Sequence, residues 1–508
     1  MVVKRKMITK LADLEAEGVK VVVLNKEDAA DMDLDPLDRV VLERKTGKSV
    51  TALVNLTERF VDEGEIGLYK GVYEMLEASD KEEIYVRPSD KPDSIQYIKE
   101  KLRGERLNSK KIHAIVEDLM QEELSNVELT AWITANFIRG MEKEEVVSLT
   151  EAIVGSGSTL NVASKRVFDK HCIGGVAGNK TTMIIVPIIA ASGLTIPKTS
   201  SRAITSPAGT ADCVEVLAPV DLCQEEIERI VNRVHGCMVW GGAMNIATAD
   251  DKLIKIRHPL SLDPQGMLLA SILAKKKAVS ATDLIIDIPI GKGSKVGEKP
   301  EAEELARQFD DLGNKLGMNV HPIITDGDHP VGMAVGPSIE AKEVLRILGG
   351  EDVSNELREK ACKLAGILLE ISEKAKKGEG YEMASKLIED GSADRKFREI
   401  LEAQGGNPKV SPDDVVLGEY THIVKAESKG KIEHIDNRGI SAVARGLGAP
   451  QTHEAGLYLH VEEGSKIQPG DDLFTLYATS ERKIDQAIEV YKARKPIGFS
   501  RIILEEFD

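Results

Sequence analysis

Between residues 94 and 157 apolar residues recur every three or four positions through four successive segments: SIQYIKEKLRG, SKKIHAIVEDLMQEEL, SNVELTAWITANFIRGM and KEEVVSLTEAIVGSG. Short polar turns join them, and amphipathic helices on short connections bury their apolar stripes by packing as an α-helical bundle. The pattern changes on either side. Residues 1 to about 90 carry the β-branched runs VKVVVLN at 19–25 and DRVVLERK at 38–45, separated by the acidic turn DLDPLD. Pro92 in KPDS marks the break, with Asp93 or Ser94 placed to cap the first helix. From 166 onward, runs such as MIIVPIIAASG and DLIIDIPIG, of strand or buried-helix composition, alternate with helical segments, as in a mixed α/β domain. The polar stretch EAQGGNPKVSPDD at 402–414 reads as a linker. Strand-like segments broken by glycine turns, and one helix in IDQAIEVYKA, follow it.

The expected fold class is α/β multidomain, with an N-terminal β-rich domain over 1–90 and an α-helical domain over 91–157 whose helices return near 222–275. A mixed α/β region over 158–410 and a C-terminal α+β domain over 411–508 complete it. The length of 508 residues by itself suggests about three domains.

With 67 Lys and Arg against 84 Asp and Glu, the net charge is −17, which argues against nucleic acid as a main partner, since a polyanion needs a basic face. The strongest apolar stretch, Met183 to Leu194, holds Pro187, Ser192 and Gly193 and falls short of the roughly 20 residues that cross a bilayer. No signal peptide follows the charged N-terminus. The five cysteines, Cys172, Cys213, Cys223, Cys237 and Cys362, form no C-x-x-C pair, which fits a reducing compartment better than disulfides or structural zinc. A cytoplasmic protein without a metal site is expected.

Chemistry concentrates in KHCIGGVAGNKTT at 170–182 and KTSSRAITSPAGTAD at 198–212. Gly174, Gly175, Gly178 and Gly209 let backbone N–H groups approach a ligand, while Ser200, Ser201, Thr205, Ser206 and Thr210 offer hydroxyls to anionic oxygens. Between 158 and 210, Lys165, Arg166, Lys170, Lys180, Lys198 and Arg202 face a single acid, Asp169. A phosphate or phosphorylated ligand is the natural occupant, although glycines for turns and hydroxyls for caps are the plainer alternative. Neither stretch is a P-loop or a dinucleotide fingerprint. A second constellation holds Asp263 in LSLDPQGM, Ser271 and Lys275 in ASILAKKKA, and Lys292, Ser294 and Lys295 in IGKGSKVGEK. Asp263 alone reads first as an N-cap or turn residue ahead of a helix, since Asp-Pro is a turn signal. Lys276 and Lys277 read as a solvated face.

The run S-S-R-A-I-T-S-P-A-G-T-A-D-C-V-E at 200–215 resembles the signature of the thymidine and pyrimidine nucleoside phosphorylases, S-G-R-G-L-x-x-T-G-G-T-x-D-x-L-E, and Lys170, His171, Gly174 and Gly175 match that family's K-H-S-x-G-G. The likeness runs from about residue 94 to the C-terminus. Ala203 replaces a glycine, Thr205-Ser206-Pro207-Ala208 replaces Gly-His-Thr-Gly, and Cys172 stands where serine is usual. With the additional 90 N-terminal residues, these departures are similar to the archaeal AMP phosphorylase branch.

That resemblance implies phosphorolysis of AMP, and of CMP and UMP, to free base and ribose 1,5-bisphosphate in nucleotide salvage, with orthophosphate as co-substrate and no cofactor. It implies Asp263 as proton donor. It implies that Gly175, Ser201, Arg202, Ala203, Ile204, Thr205, Ser206, Thr210, Ser271 and Lys295 contact the nucleotide, the 5′-phosphate lying near Arg202, Thr205 and Ser206. Lys170, Ser200 and Thr210 would hold the attacking phosphate, and Arg257 and Lys275 the base. His171 binds phosphate or orients Lys170. A protonated donor at neutral pH requires burial or nearby phosphate charge to raise the Asp263 pKa. The resemblance further implies closure of two domains across a cleft, with Gly155 and Gly157 as hinge candidates. It also implies a homodimer built through the helical bundle and larger multimers through the N-terminal domain. Competing readings are a pyrimidine nucleoside phosphorylase, a phosphoribosyltransferase and a non-catalytic nucleotide-binding module. The C-terminal strands read as a structural module.

Overall fold

The structure, a computed structural model, describes residues 4–500 apart from 17, 204, 205, 352 and 354. It divides into two compact units, Met1–Gly157 with Ala247–Ala274, and Ser158–Ile246 with Lys275–Asp508.

In the first unit, six strands close into a barrel: β1 (Arg5–Leu11), β2 (Val21–Asn25), β3 (Arg39–Glu43), β4 (Ser49–Thr57), β5 (Glu65–Leu68) and β6 (Glu83–Ser89), in the order β1-β5-β2-β4-β3-β6. Alternate residues point inward, as the strand period requires, so Val22, Leu24, Val40, Leu42, Ile66, Leu68, Ile84 and Val86 fill the interior. The barrel is bolted to the helices that follow it. Arg39, only 3% exposed, donates from Nε and Nη2 to the Glu123 carbonyl at 3.1 and 2.7 Å and pairs with Glu128 at 2.7 Å. The buried Lys20 ammonium donates to the Gln121 carbonyl at 2.6 Å.

The four expected helices form at Asp93–Leu102, Ser109–Met120, Asn126–Arg139 and Lys143–Gly155. Asp93 opens the first as a helical residue after Pro92 and does not cap it. The second starts on the Asn108 side chain, and the third on a reciprocal capping box between Ser125 and Glu128. A buried pair, Lys101 with Glu145 at 2.7 Å, crosses the bundle and is completed by the Leu107 and Glu142 amides on the same carboxylate. Thr248–Arg257 and the first part of Gln265–Ala278 rejoin this unit. The return therefore begins at Ala247, and not near 222, because Gln224–Val234 packs in the second unit.

The second unit carries a parallel sheet of β7 (Phe168–Cys172), β10 (Asp283–Ile290) and β11 (Asn319–Asp326), and a parallel pair, β8 (Ile196–Ser200) with β9 (Gly236–Trp240). A parallel bridge from Val167 to Thr195 joins them. MIIVPIIAASG is the crossover helix Thr181–Ala191, buried from Thr181 through Ala190, which is why it shows no polar stripe. DLIIDIPIG is the central strand β10, covered on both faces.

Beyond residue 410 an antiparallel sheet is ordered Ala334–Val335, Gly456–Leu459, Asp472–Ala478, Tyr420–Lys425, so its edge comes from the α/β region. The strand Gly430–Ile435 lies in a different sheet, between Lys466–Ile467 and Ile497–Phe499. The stretch 402–414 is more structured than a linker. It begins inside the helix Ser392–Ala403, and buried Gln404 bonds Met238 N, Met238 O and Pro219 O. Among the described residues no helix is long and apolar enough to cross a membrane.

Candidate functional site

β7 carries Asp169 and Lys170 to the end of the sheet on opposite faces, both buried. The Lys170 ammonium donates to Thr181 Oγ1 at 3.0 Å and lies 3.3 Å from Asp287 of the adjacent β10. On the other face Asp169 receives Lys276 at 2.7 Å and Lys198 at 3.4 Å, and Lys198 also donates to the Lys170 carbonyl at 2.8 Å. Lys276 is 2% exposed, which overturns its reading as a solvated residue, and half-buried Lys277 bonds the Leu316 carbonyl. Burial above all pushes Lys198 down to about 7, with Asp169 opposing the shift and Lys276 and Lys170 adding to it. Burial, and then the ammonium groups of Lys276, Lys198, Lys170 and Lys295, hold His171 well below the usual imidazole range, so it is neutral at pH 7. The Cys172 thiol is pushed up to about 11 by burial and Asp287, and stays protonated.

The turn after β7 puts Gly174 and Gly175 at φ of +94° and +96°, a region open to glycine. A Cβ on Gly175 would lie 2.5 Å from Lys295 N and 2.9 Å from Ser294 Cα, so the loop 291–296 rests directly on this glycine. That loop is closed on itself by Ser294, whose buried hydroxyl has one proton to share between the carbonyls of Gly291 at 2.8 Å and Val296 at 2.5 Å. The structure thus brings Lys295 and the glycine loop together.

β8 delivers Ser200, after which the chain runs over Ser201, Arg202 and Ala203 to Gly209, and Thr210 opens the helix Thr210–Glu215. Ile204 and Thr205 lie outside the described residues. Asp212 gathers the loop's two ends, accepting from Ala203 N and Gly209 N at 2.8 Å each. Arg202 is bidentate on Glu215, bonds Asp221 at 3.2 Å, and lies 5.0 Å over the Trp240 ring. Asp212 and Glu215, not singled out from the sequence, thus hold this loop and its arginine. The spacing of Gly209 and Asp212 as helix cap and third residue was the available signal for the former.

Of the remaining candidates, Arg257, Asp263 and Ser271 lie in the first unit and Lys275 opens the last stretch of the second. Asp263 is 44% exposed by side chain and pairs with Arg257 at 3.0 Å, so of the two expected means of keeping its proton, burial and nearby phosphate charge, burial is not the one present. Ser271 is buried and donates to Asp250 at 2.7 Å. Lys275 is half-buried on the helix Gln265–Ala278. Gly155 ends the last helix of the bundle, and the division between units falls after Gly157.

The chain is 46% identical over 496 residues to the AMP phosphorylase of Pyrococcus furiosus, covering 98% of each. It is 45% identical to that of Thermococcus kodakarensis, covering 96% of this chain and 97% of the relative. The chain belongs to the AMP phosphorylase family. The AMP phosphorylase of Methanospirillum hungatei is 42% identical, covering 98% and 96% of the two chains. Within this member of the AMP phosphorylases, residues 95–157 match the helical bundle domain of a glycosyl transferase family and 164–394 its a/b domain. Residues 431–498 match the pyrimidine nucleoside phosphorylase C-terminal domain. In fold, the chain is similar to the anthranilate phosphoribosyltransferase of Thermus thermophilus, with a TM-score of 0.52 and 18% identity, over 61% of this chain and 99% of the other. The Saccharomyces cerevisiae anthranilate phosphoribosyltransferase gives 0.50 at 16% identity, over 61% and 98%.

Proposed function

We propose that this chain is a pentosyltransferase that phosphorolyses AMP with orthophosphate, giving adenine and ribose 1,5-bisphosphate, with no cofactor. Full-length similarity to AMP phosphorylases carries the reading. The lysine-lined glycine loop supplies the chemistry it needs. A phosphate oxygen forms a bond to the anomeric carbon as the bond to the purine nitrogen breaks, and the bonding pair leaves with the base. The transition state resembles an oxocarbenium ion, as in other glycosyl transfers.

Lys170, Ser200 and Thr210 hold the attacking phosphate in this reading, and fixing it under the carbon lowers the entropic part of the barrier. Neutral His171 can accept or donate a hydrogen bond without adding charge. Gly175, Ser201 to Ser206, Ser271 and Lys295 contact the nucleotide. Its 5′-phosphate would compete with Glu215 for the Arg202 fork, a geometry suited to either anion. Asp263 gives its proton to the departing purine, and Arg257 and Lys275 serve the base. CMP and UMP are further substrates. We also infer a cytoplasmic homodimer through the helical bundle, supported by Val127 and Ile138, exposed at helical spacing on Asn126–Arg139.

An assay offering AMP, CMP, UMP, adenosine and thymidine with orthophosphate tests this reading. Release of adenine from AMP in preference to adenosine is expected. Preference for thymidine would replace the reading with a nucleoside phosphorylase, and binding of AMP without phosphate consumption would replace it with a binding module.

A further inference from the structure

We propose that Asn437 and Arg438, from the C-terminal region, are positioning residues that set the phosphate loop against the loop bearing Lys295. The inference rests on the reading that the segment 170–182, through Lys170, holds orthophosphate together with Ser200 and Thr210.

Asn437 is 1% exposed at the start of the helix Asn437–Leu447, a helix begun by Asp436, whose carboxylate accepts from Gly439 N at 2.6 Å. Asp436 N donates in turn to Pro496 O at 2.7 Å, which ties this start to the C-terminal sheet. From there the Asn437 amide reaches out of its own region in two directions. Its Oδ1 accepts from Ala177 N at 2.9 Å, and its Nδ2 donates to Gly327 O at 2.9 Å. Ala177 stands in the phosphate loop between Gly175 and Gly178, and its carbonyl accepts from Val331 N at 3.0 Å, so both its backbone groups are held from outside the loop. Gly327 follows β11 and donates to Ile290 O at the end of β10.

The next residue, Arg438, donates from Nε to Gly293 O at 3.2 Å, in the loop that lies on Gly175 and presents Lys295. Two consecutive side chains thus grip two loops that also touch each other. The spacing between the anion-facing glycines and the Lys295 backbone is therefore fixed from the C-terminal helix.

The residue type matters at 437. A buried N–H and a buried carbonyl must be met by one planar group offering an acceptor on one side and a donor on the other, which is what a primary amide supplies. An aspartate there keeps the acceptor and the size but turns a second oxygen towards Gly327 O, leaving a buried acceptor unpaired. Filling space alone would not distinguish the two residues.

The test measures binding of radiolabelled orthophosphate to the full chain by equilibrium dialysis, and the KM for phosphate at saturating AMP, in wild type, Asn437→Ala, Asn437→Asp and Val443→Ala. Val443 is fully buried in the C-terminal core on the same helix, so its variant reports destabilisation without loss of the loop contacts. Both Asn437 variants are expected to weaken phosphate binding and raise its KM by roughly tenfold or more, the scale of a misplaced reacting group. Val443→Ala is expected to lower the melting temperature and leave both quantities near wild type. Phosphate affinity within about twofold of wild type in either Asn437 variant overturns the proposal, as does an equal loss in Val443→Ala. A wild type that binds orthophosphate but releases no adenine from AMP refutes the proposed reaction while the affinities still decide the positioning role; a wild type that binds none overturns both.

Discussion

At Asp169 one buried carboxyl faces two amines, and it sits closer to Lys276 than to Lys198. Burial first, opposed by Asp169 and reinforced by neighbouring Lys276, pushes Lys198 down to about 7. The stability consequence has a definite sign. Below about pH 7 the amine is protonated in folded and unfolded chains alike and the full cost of burying it is felt. Between there and the ordinary lysine range only the unfolded chain keeps the proton, so stability rises with pH. Lys198→Met should flatten that rise, read as urea midpoints at about pH 6 and pH 9. An unchanged slope would show that Lys198 keeps its charge. Asp263 presents the opposite situation, an exposed carboxyl paired with Arg257. If it is the acid, Asp263→Asn should lower kcat by a factor on the order of 10² to 10⁴ with little change in AMP dissociation, since an amide keeps the shape and loses the proton. Equal losses in both would assign it to binding.

The contact between two loops at Gly175 is decided by backbone, and a single methyl group tests it. Gly175→Ala must enter Lys295 N and Ser294 Cα while adopting a positive φ, so the 291–296 loop has to move. A displacement near 1 Å costs about 10²-fold in kcat/KM, and Gly405→Ala, also at positive φ but with its nearest neighbour 3.8 Å away, serves as the strained control. Elements with their own local signals were legible in the sequence: the four bundle helices, the barrel strands at 21–25 and 39–43, and the loops around Gly174 and Thr210. MIIVPIIAASG stayed open between strand and helix because a segment buried all round has no period to read. Lys276 was misread for a geometric reason. Three consecutive lysines on a helix span roughly 200°, so they cannot all face water once an apolar partner covers the other side. Gln404 and Asn437 were invisible because their partners lie far away in sequence, at Met238 and Ala177, and nothing local marks an amide that satisfies a distant backbone.

At the scale of the first unit, the barrel and the bundle are joined by buried cations on backbone carbonyls, through Lys20 and Arg39. Arg39→Ala leaves the Glu123 carbonyl and the Glu128 carboxylate without that partner, and it should uncouple the two. Calorimetry should then resolve barrel and bundle melting further apart than in wild type, and proteolysis near Lys91 and Pro92 should accelerate by about tenfold or more. A melting profile and cleavage rate matching wild type would mean the join is carried by other contacts. The barrel has one more property, which follows from its closed strand order. Every strand in it has a hydrogen-bonded neighbour on both sides, so it offers no free edge for a seventh strand and no strand that a neighbouring chain could borrow without opening the ring. Any association of copies through this domain must therefore proceed without strand addition and leave the barrel shut.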